Sequence, residues 1–278
     1  MPGLTASATS VSGPNPASPR EGDPVISLYQ PTSGTAFDPR CRHSLLLSTA
    51  ETSRNPLFHK ACVYIPGHDE LYIISDLLQT SSSSSLPVIL ISRVNLRRRS
   101  RPHSGAGAGA GDDDDDDDPV GGSDDDVVGV EWQKLRPPQS MTMPAGGARF
   151  AGGMVFCSQG SLAEGSTGGL HFMPRGKPPE ALVTGFYGRD FNSPHDVAVA
   201  RDGALWFTDP CCGFELGFRR RPVLPCRVYR FHPESEDLRV VADGLIRPMG
   251  IAFSSDEGTV YITDAGAIKG EGDVDTPR

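Results

Sequence analysis

Apolar positions along this chain fall in short runs broken by Asp/Gly turns, and one such unit is written twice. Pro194-His195-Asp196-Val197-Ala198-Val199-Ala200-Arg201-Asp202-Gly203-Ala204-Leu205-Trp206-Phe207-Thr208-Asp209 reads as a strand, a turn and a second strand ending in Thr-Asp. Pro248-Met249-Gly250-Ile251-Ala252-Phe253, a turn at Ser255-Asp256-Glu257-Gly258, and Val260-Tyr261-Ile262-Thr263-Asp264 repeat it. A looser third copy runs through 61–65, a turn at 67–70 and 71–76, with 88–91 as the next strand. Order resumes at 128–135 and 151–157. Two further hairpins, 169–173 with 180–185 and 227–231 with 238–244, each precede a copy of the repeated unit. Inner hairpin, outer hairpin, inner hairpin is the alternation that four-stranded blades require, so the pattern predicts an all-β chain with blades around an axis. About three and a half blades are expected in 41–278, with residues 1–40, rich in Ser, Pro, Gly and Thr, disordered or peripheral.

The 278 residues are long enough for a sizeable core, but only 37% are hydrophobic, while Gly (32) and Pro (25) are abundant. Turns and low-complexity tracts account for both. The formal charge of -9 says little about partners, because the aspartates of 112–118 and 124–126 account for all of it. Those runs lie in a segment, 97–127, that opens with Arg97-Arg98-Arg99 and Arg101 and continues in alternating Gly and Ala. It reads as an exposed low-complexity insert between two blade strands. A nuclear signal or RNA contact is the sharper reading of its arginines, and a linker whose charge blocks neutralise each other is the simpler one. No nucleic-acid partner is expected.

Residues 1–24 hold no apolar run of signal-peptide length, and no stretch approaches the ~18 apolar residues of a membrane span. A cytoplasmic protein without a membrane partner is therefore expected, with its six cysteines reduced. Their spacing fits no zinc pattern. The vicinal Cys211-Cys212 pair has redox or soft-metal chemistry as its sharper reading, and small buried hydrophobes as its plain one.

The stretches Phe58-His59-Lys60-Ala61-Cys62-Val63-Tyr64, Phe191-Asn192-Ser193-Pro194-His195-Asp196-Val197, Leu205-Trp206-Phe207-Thr208-Asp209-Pro210, Leu224-Pro225-Cys226-Arg227-Val228-Tyr229-Arg230-Phe231 and Arg247-Pro248-Met249-Gly250-Ile251-Ala252-Phe253 resemble the gluconolactonase and regucalcin-like family, most closely its fungal lactone hydrolases. The resemblance implies a six-bladed propeller, incomplete here, whose central tunnel holds one divalent cation, usually calcium, and opens sugar lactones or related esters. Such a cation needs oxygen ligands, and it polarises the carbonyl or activates water.

This chain departs from that pattern. The family's Glu is replaced by Lys60, the Asn of its Ser-Pro-Asn-Asp motif by His195, and the Asn of its Arg-Pro-Asn-Gly motif by Met249. A fourth ligand, an Asp of a later blade, has no counterpart before Arg278. His195 and Asp196 remain as candidate metal ligands, and Asp196 and Asp209 as candidate catalytic groups, although Asp209 and Asp264 also suit turn capping. A lactonase-like propeller that is weakly active or inactive, its divalent cation lost, is the expected function. An active variant using another metal is one alternative, and a non-enzymatic module pairing through an open propeller edge is another. A Ser-His-Asp hydrolase is disfavoured, since no Gly-x-Ser-x-Gly elbow occurs. Oligomeric state is not legible.

Overall fold

The computed structural model describes residues 7–11, 47–48, 57–78, 88–98, 127–266, 268–269 and 273–274. They form antiparallel sheets, with a four-residue helix, α1 (Cys212–Glu215), and one 3-10 turn, Pro66–His68, as the only helical elements among them. None of these helices is long and apolar enough to cross a membrane.

The first sheet contains β1 (Ser7–Val11), β2 (Lys60–Ile65), β3 (Glu70–Ile74), β4 (Ile91–Arg98) and β5 (Val127–Leu135), in the order β1-β5-β4-β3-β2. The second is β6 (Pro144–Phe150), β7 (Gly153–Ser158), β8 (Gly169–Met173) and β9 (Glu180–Val183), paired in chain order. After the small hairpin of β10 (Gly185–Phe186) and β11 (Arg189–Asp190), the third sheet repeats the meander with β12 (Val197–Val199), β13 (Leu205–Asp209), β14 (Arg227–His232) and β15 (Asp237–Ala242). A hairpin, β16 (Pro248–Phe253) with β17 (Val260–Asp264), follows, and then a minor one, β18 (Ile268–Lys269) with β19 (Asp273–Val274). The first strands of the four units lie side by side in chain order: β2 against β6, β6 against β12, β12 against β16.

Period-two patterning explains how the sheets stack. All of β7 is buried, as a strand covered on both faces must be. Its Met154 and Phe156 enter one core with Val63, Tyr72, Ile74 and Ile91 of the first sheet. Its Val155 and Cys157 enter another with Val197, Leu205, Phe207 and Tyr229 of the third. Val94, Val130 and Trp132 build a separate core on the far side of the first sheet.

Two expectations shift. The strand expected over 88–91 begins only at its last residue, Ile91, and Val88 makes an isolated bridge to Leu78. That strand runs on through Arg97 and Arg98, and its partner begins at Val127, so both edges assigned to the insert are ordered. The arginines stay in the sheet because each finds an anion, Arg97 at Glu131 and Arg98 at Asp69, where Nε lies 2.8 Å from Oδ1. The remainder of the proposed insert and most of the N-terminal segment lie outside the described residues.

Candidate functional site

The inner strands are built alike where they start. β2, β6 and β16 each slip register over the same interval, between Lys60 and Val63, Pro144 and Gly147, and Pro248 and Ile251. Such bulges turn side chains and carbonyls out of the ladder at the strand's beginning. In the third sheet Pro194, His195 and Asp196 occupy the corresponding stretch, where the His195 N–H donates to the Thr208 carbonyl at 2.9 Å.

These starts converge. Lys60 Nζ lies 2.9 Å from His195 Nε2, and His195 Nδ1 lies 3.2 Å from the Met249 carbonyl oxygen. A carbonyl only accepts, so Nδ1 carries the proton and the Nε2 lone pair accepts from the lysine. Thr208 Oγ1 donates to the same Met249 carbonyl at 2.8 Å. Cys212, in α1, places its Sγ 3.4 Å from Met249 Sδ. The three positions singled out from sequence thus meet, with Cys212 and Thr208 as members that sequence reasoning missed.

Burial governs the charges here. Desolvation draws the Lys60 ammonium below the usual lysine range, opposed by Cys212 and Asp196 nearby. Desolvation, followed by the Lys60 charge, pushes His195 down to about 3, so its imidazole is neutral at ordinary pH. Asp196 is raised by burial, against the hydrogen bonds it accepts. Its Oδ2 accepts the Ile251 N–H at 3.1 Å and its Oδ1 the Val197 N–H at 3.0 Å. The carboxylate therefore ties β12 to β16.

The other carboxylates are turn caps. Asp209 is fully buried and accepts the N–H groups of Asn192 (3.0 Å) and Ser193 (2.8 Å) on its two oxygens. Asp264 holds Ile246 and Arg247 in the same way. Nothing in this geometry aims Asp209 at the Lys60–His195 pair.

A hard cation does not fit this donor set. Calcium takes six to eight oxygens, whereas the cluster offers an ammonium, an imidazole, two sulfurs and oxygens already engaged by N–H and O–H groups. No group of three or more His, Cys, Asp or Glu side chains suited to a metal occurs among the described residues.

The chain is thus an all-β protein of serial antiparallel meanders with a cluster at the inner-strand starts. Its residues 126–269 match the family described as SMP-30/Gluconolactonase/LRE-like region, and the chain belongs to that family. A lactonohydrolase of Aspergillus oryzae is 32% identical over 151 residues, 52% of this chain and 34% of that protein. A gluconolactonase of Zymomonas mobilis is 29% identical over 137 residues, 44% of this chain and 36% of that protein. The chain spans about a third of the length of these relatives. Among solved structures, a gluconolactonase of Xanthomonas campestris is 32% identical, covering 48% of this chain and 44% of its own, with a TM-score of 0.42.

Proposed function

We propose that this chain is the lactonase-like part of a six-bladed propeller, contributing about three and a half blades, and that its axial site binds a small lactone or ester without calcium. The observation that carries this reading is the Lys60–His195 hydrogen bond at the convergence of the inner strands. It puts a cationic group where the family resemblance implies a metal. A lactone carbonyl reaching Lys60 Nζ would accept one of its remaining N–H bonds, and the same donor would steady the oxyanion formed as water adds. His195 holds the amine in place through Nε2 and is itself held by Met249. A single ammonium replaces a multivalent Lewis acid, and Asp196 and Asp209 each accept backbone N–H groups on both oxygens, so the hydrolytic rate is low or nil.

Thermal melting with Ca²⁺, Mn²⁺ and Zn²⁺, beside hydrolysis of glucono-1,5-lactone with and without EDTA, tests this. No cation should raise the melting temperature, although a ligand at 100 times its Kd adds about 2.7 kcal/mol. The lactone itself should raise it, and Lys60→Ala should abolish that rise. A saturable calcium shift with EDTA-sensitive turnover overturns the proposal.

A further inference from the structure

The vicinal cysteines point apart, and each finds a different sulfur. Cys212 turns to Met249, whereas Cys211 Sγ lies 3.1 Å from Cys226 Sγ across the loop joining β13 to β14. Both Cys211 and Cys226 are half-buried, so a small reagent can reach them, whereas Cys157 is buried.

The loop holds this geometry firmly. The Cys211 carbonyl accepts the Phe214 and Glu215 N–H groups that open α1. Cys226 follows Pro225, whose carbonyl accepts from Asn192, and it directly precedes β14. Between them, Arg219 donates to the carbonyls of Asn192, Phe191 and Ser166, and Phe218 and Leu224 are buried. The two sulfurs are therefore brought together by fixed backbone on both sides.

We propose that Cys211 and Cys226 are a modification site: a dithiol that closes to a reversible disulfide by exchange with a low-molecular-weight disulfide of the glutathione type. Either thiol can donate in the contact between them; with Cys211 donating, Cys226 is held below the ordinary thiol range and is the attacking sulfur. Its thiolate attacks one sulfur of the reagent, a mixed disulfide forms, and one small thiolate leaves. Cys211 then loses its proton and attacks the Cys226 sulfur, expelling the second small thiolate. Two protein thiols are oxidised and one small disulfide is reduced to two thiols, so atoms and electrons balance. The bond staples the loop that carries Cys212 against Met249, beside the axial cluster.

The test uses the reduced full chain incubated with oxidised glutathione, blocked with N-ethylmaleimide and digested with trypsin. The expected product is a linked pair of peptides whose fragmentation places the bond at Cys211–Cys226, with two of the six thiols lost and both restored by dithiothreitol. The link should persist in Cys212→Ser and vanish in Cys211→Ser and in Cys226→Ser. Fragmentation of the unsubstituted chain gives the answer even where a variant fails to fold. Glutathione adducts without the link, or a link through Cys212, overturn the proposal.

Discussion

Asp209 and Asp264 end equivalent strands with the same Thr-Asp pair and grip the residues just before Pro194 and Pro248. Their titration nevertheless moves in opposite directions. At Asp264, modest burial is outweighed by three backbone N–H bonds and the Arg247 charge, and the carboxyl is lowered. Asp209 is sealed between sheets, and desolvation raises it to about 7 despite its two backbone bonds. A folded-state pKa above the unfolded one means that the native protein binds the extra proton. Its stabilisation is complete below the unfolded pKa of about 4 and is lost as pH rises through about 7. Denaturant melts across this window should show the unsubstituted chain losing stability relative to Asp209→Asn as pH rises. Parallel pH profiles for the two proteins would show that Asp209 carries no shifted proton.

At the scale of the strand, the Lys60–His195 cluster depends on how closely β6 and β12 approach. The Gly146 N–H donates to the His195 carbonyl at 2.6 Å, and a Cβ on Gly146 would lie 2.1 Å from Asp196 Oδ1 and 2.6 Å from Asp196 Cα. Backbone cannot yield as a flexible side chain does. Gly146→Ala should therefore cost about 1–3 kcal/mol in a denaturant melt. It should also separate His195 from Lys60, read as a rise in the His195 pKa by NMR titration, because removal of the nearby cation and of burial both restore the imidazolium. Destabilisation with an unmoved His195 titration would confine the effect to packing. This strand is also where the sequence was least legible. Pro-Ala-Gly-Gly-Ala-Arg-Phe shows no apolar run or clean alternation, because its two glycines serve close approach while only Ala145, Ala148 and Phe150 reach the core. The apolar inner strands of the other units were visible, since Val197, Ile251 and Val63 fill cores by ordinary period-two burial. The meeting of Lys60, His195 and Met249 followed from their shared place in the repeat. Cys212 and Cys226 had no such guide, because their loop follows no periodic rule.

Across the whole molecule, polar contacts between distant parts of the chain also join successive sheets, and these leave no local sequence signal. Between the second and third sheets Arg219 reaches Ser166, and between the third and fourth units Asp196 reaches Ile251. The link between the first and second sheets is ionic. Glu70, 2% exposed, accepts Arg175 Nε at 3.1 Å and Nη2 at 2.8 Å, and Tyr72 donates to Oε2 at 3.0 Å. Arg93 lies 3.9 Å away on the other oxygen. Burial alone would raise this carboxyl, but its bonds from Arg175 and Tyr72 and the Arg93 charge outweigh it, so Glu70 is lowered. The sign is thus opposite to that of Asp209: the stabilisation is present above the unfolded pKa of about 4.3 and disappears as pH falls through the folded value. Glu70→Gln keeps the shape and removes the charge, leaving the half-exposed Arg175 able to turn toward water, so its cost at neutral pH should be about 1–3 kcal/mol. That gap should close as denaturant melts are carried to acid pH, because the unsubstituted carboxyl is then neutral as well. A gap of the same size at every pH would mean that Glu70 joins the sheets by packing and neutral hydrogen bonds, with no contribution from its charge.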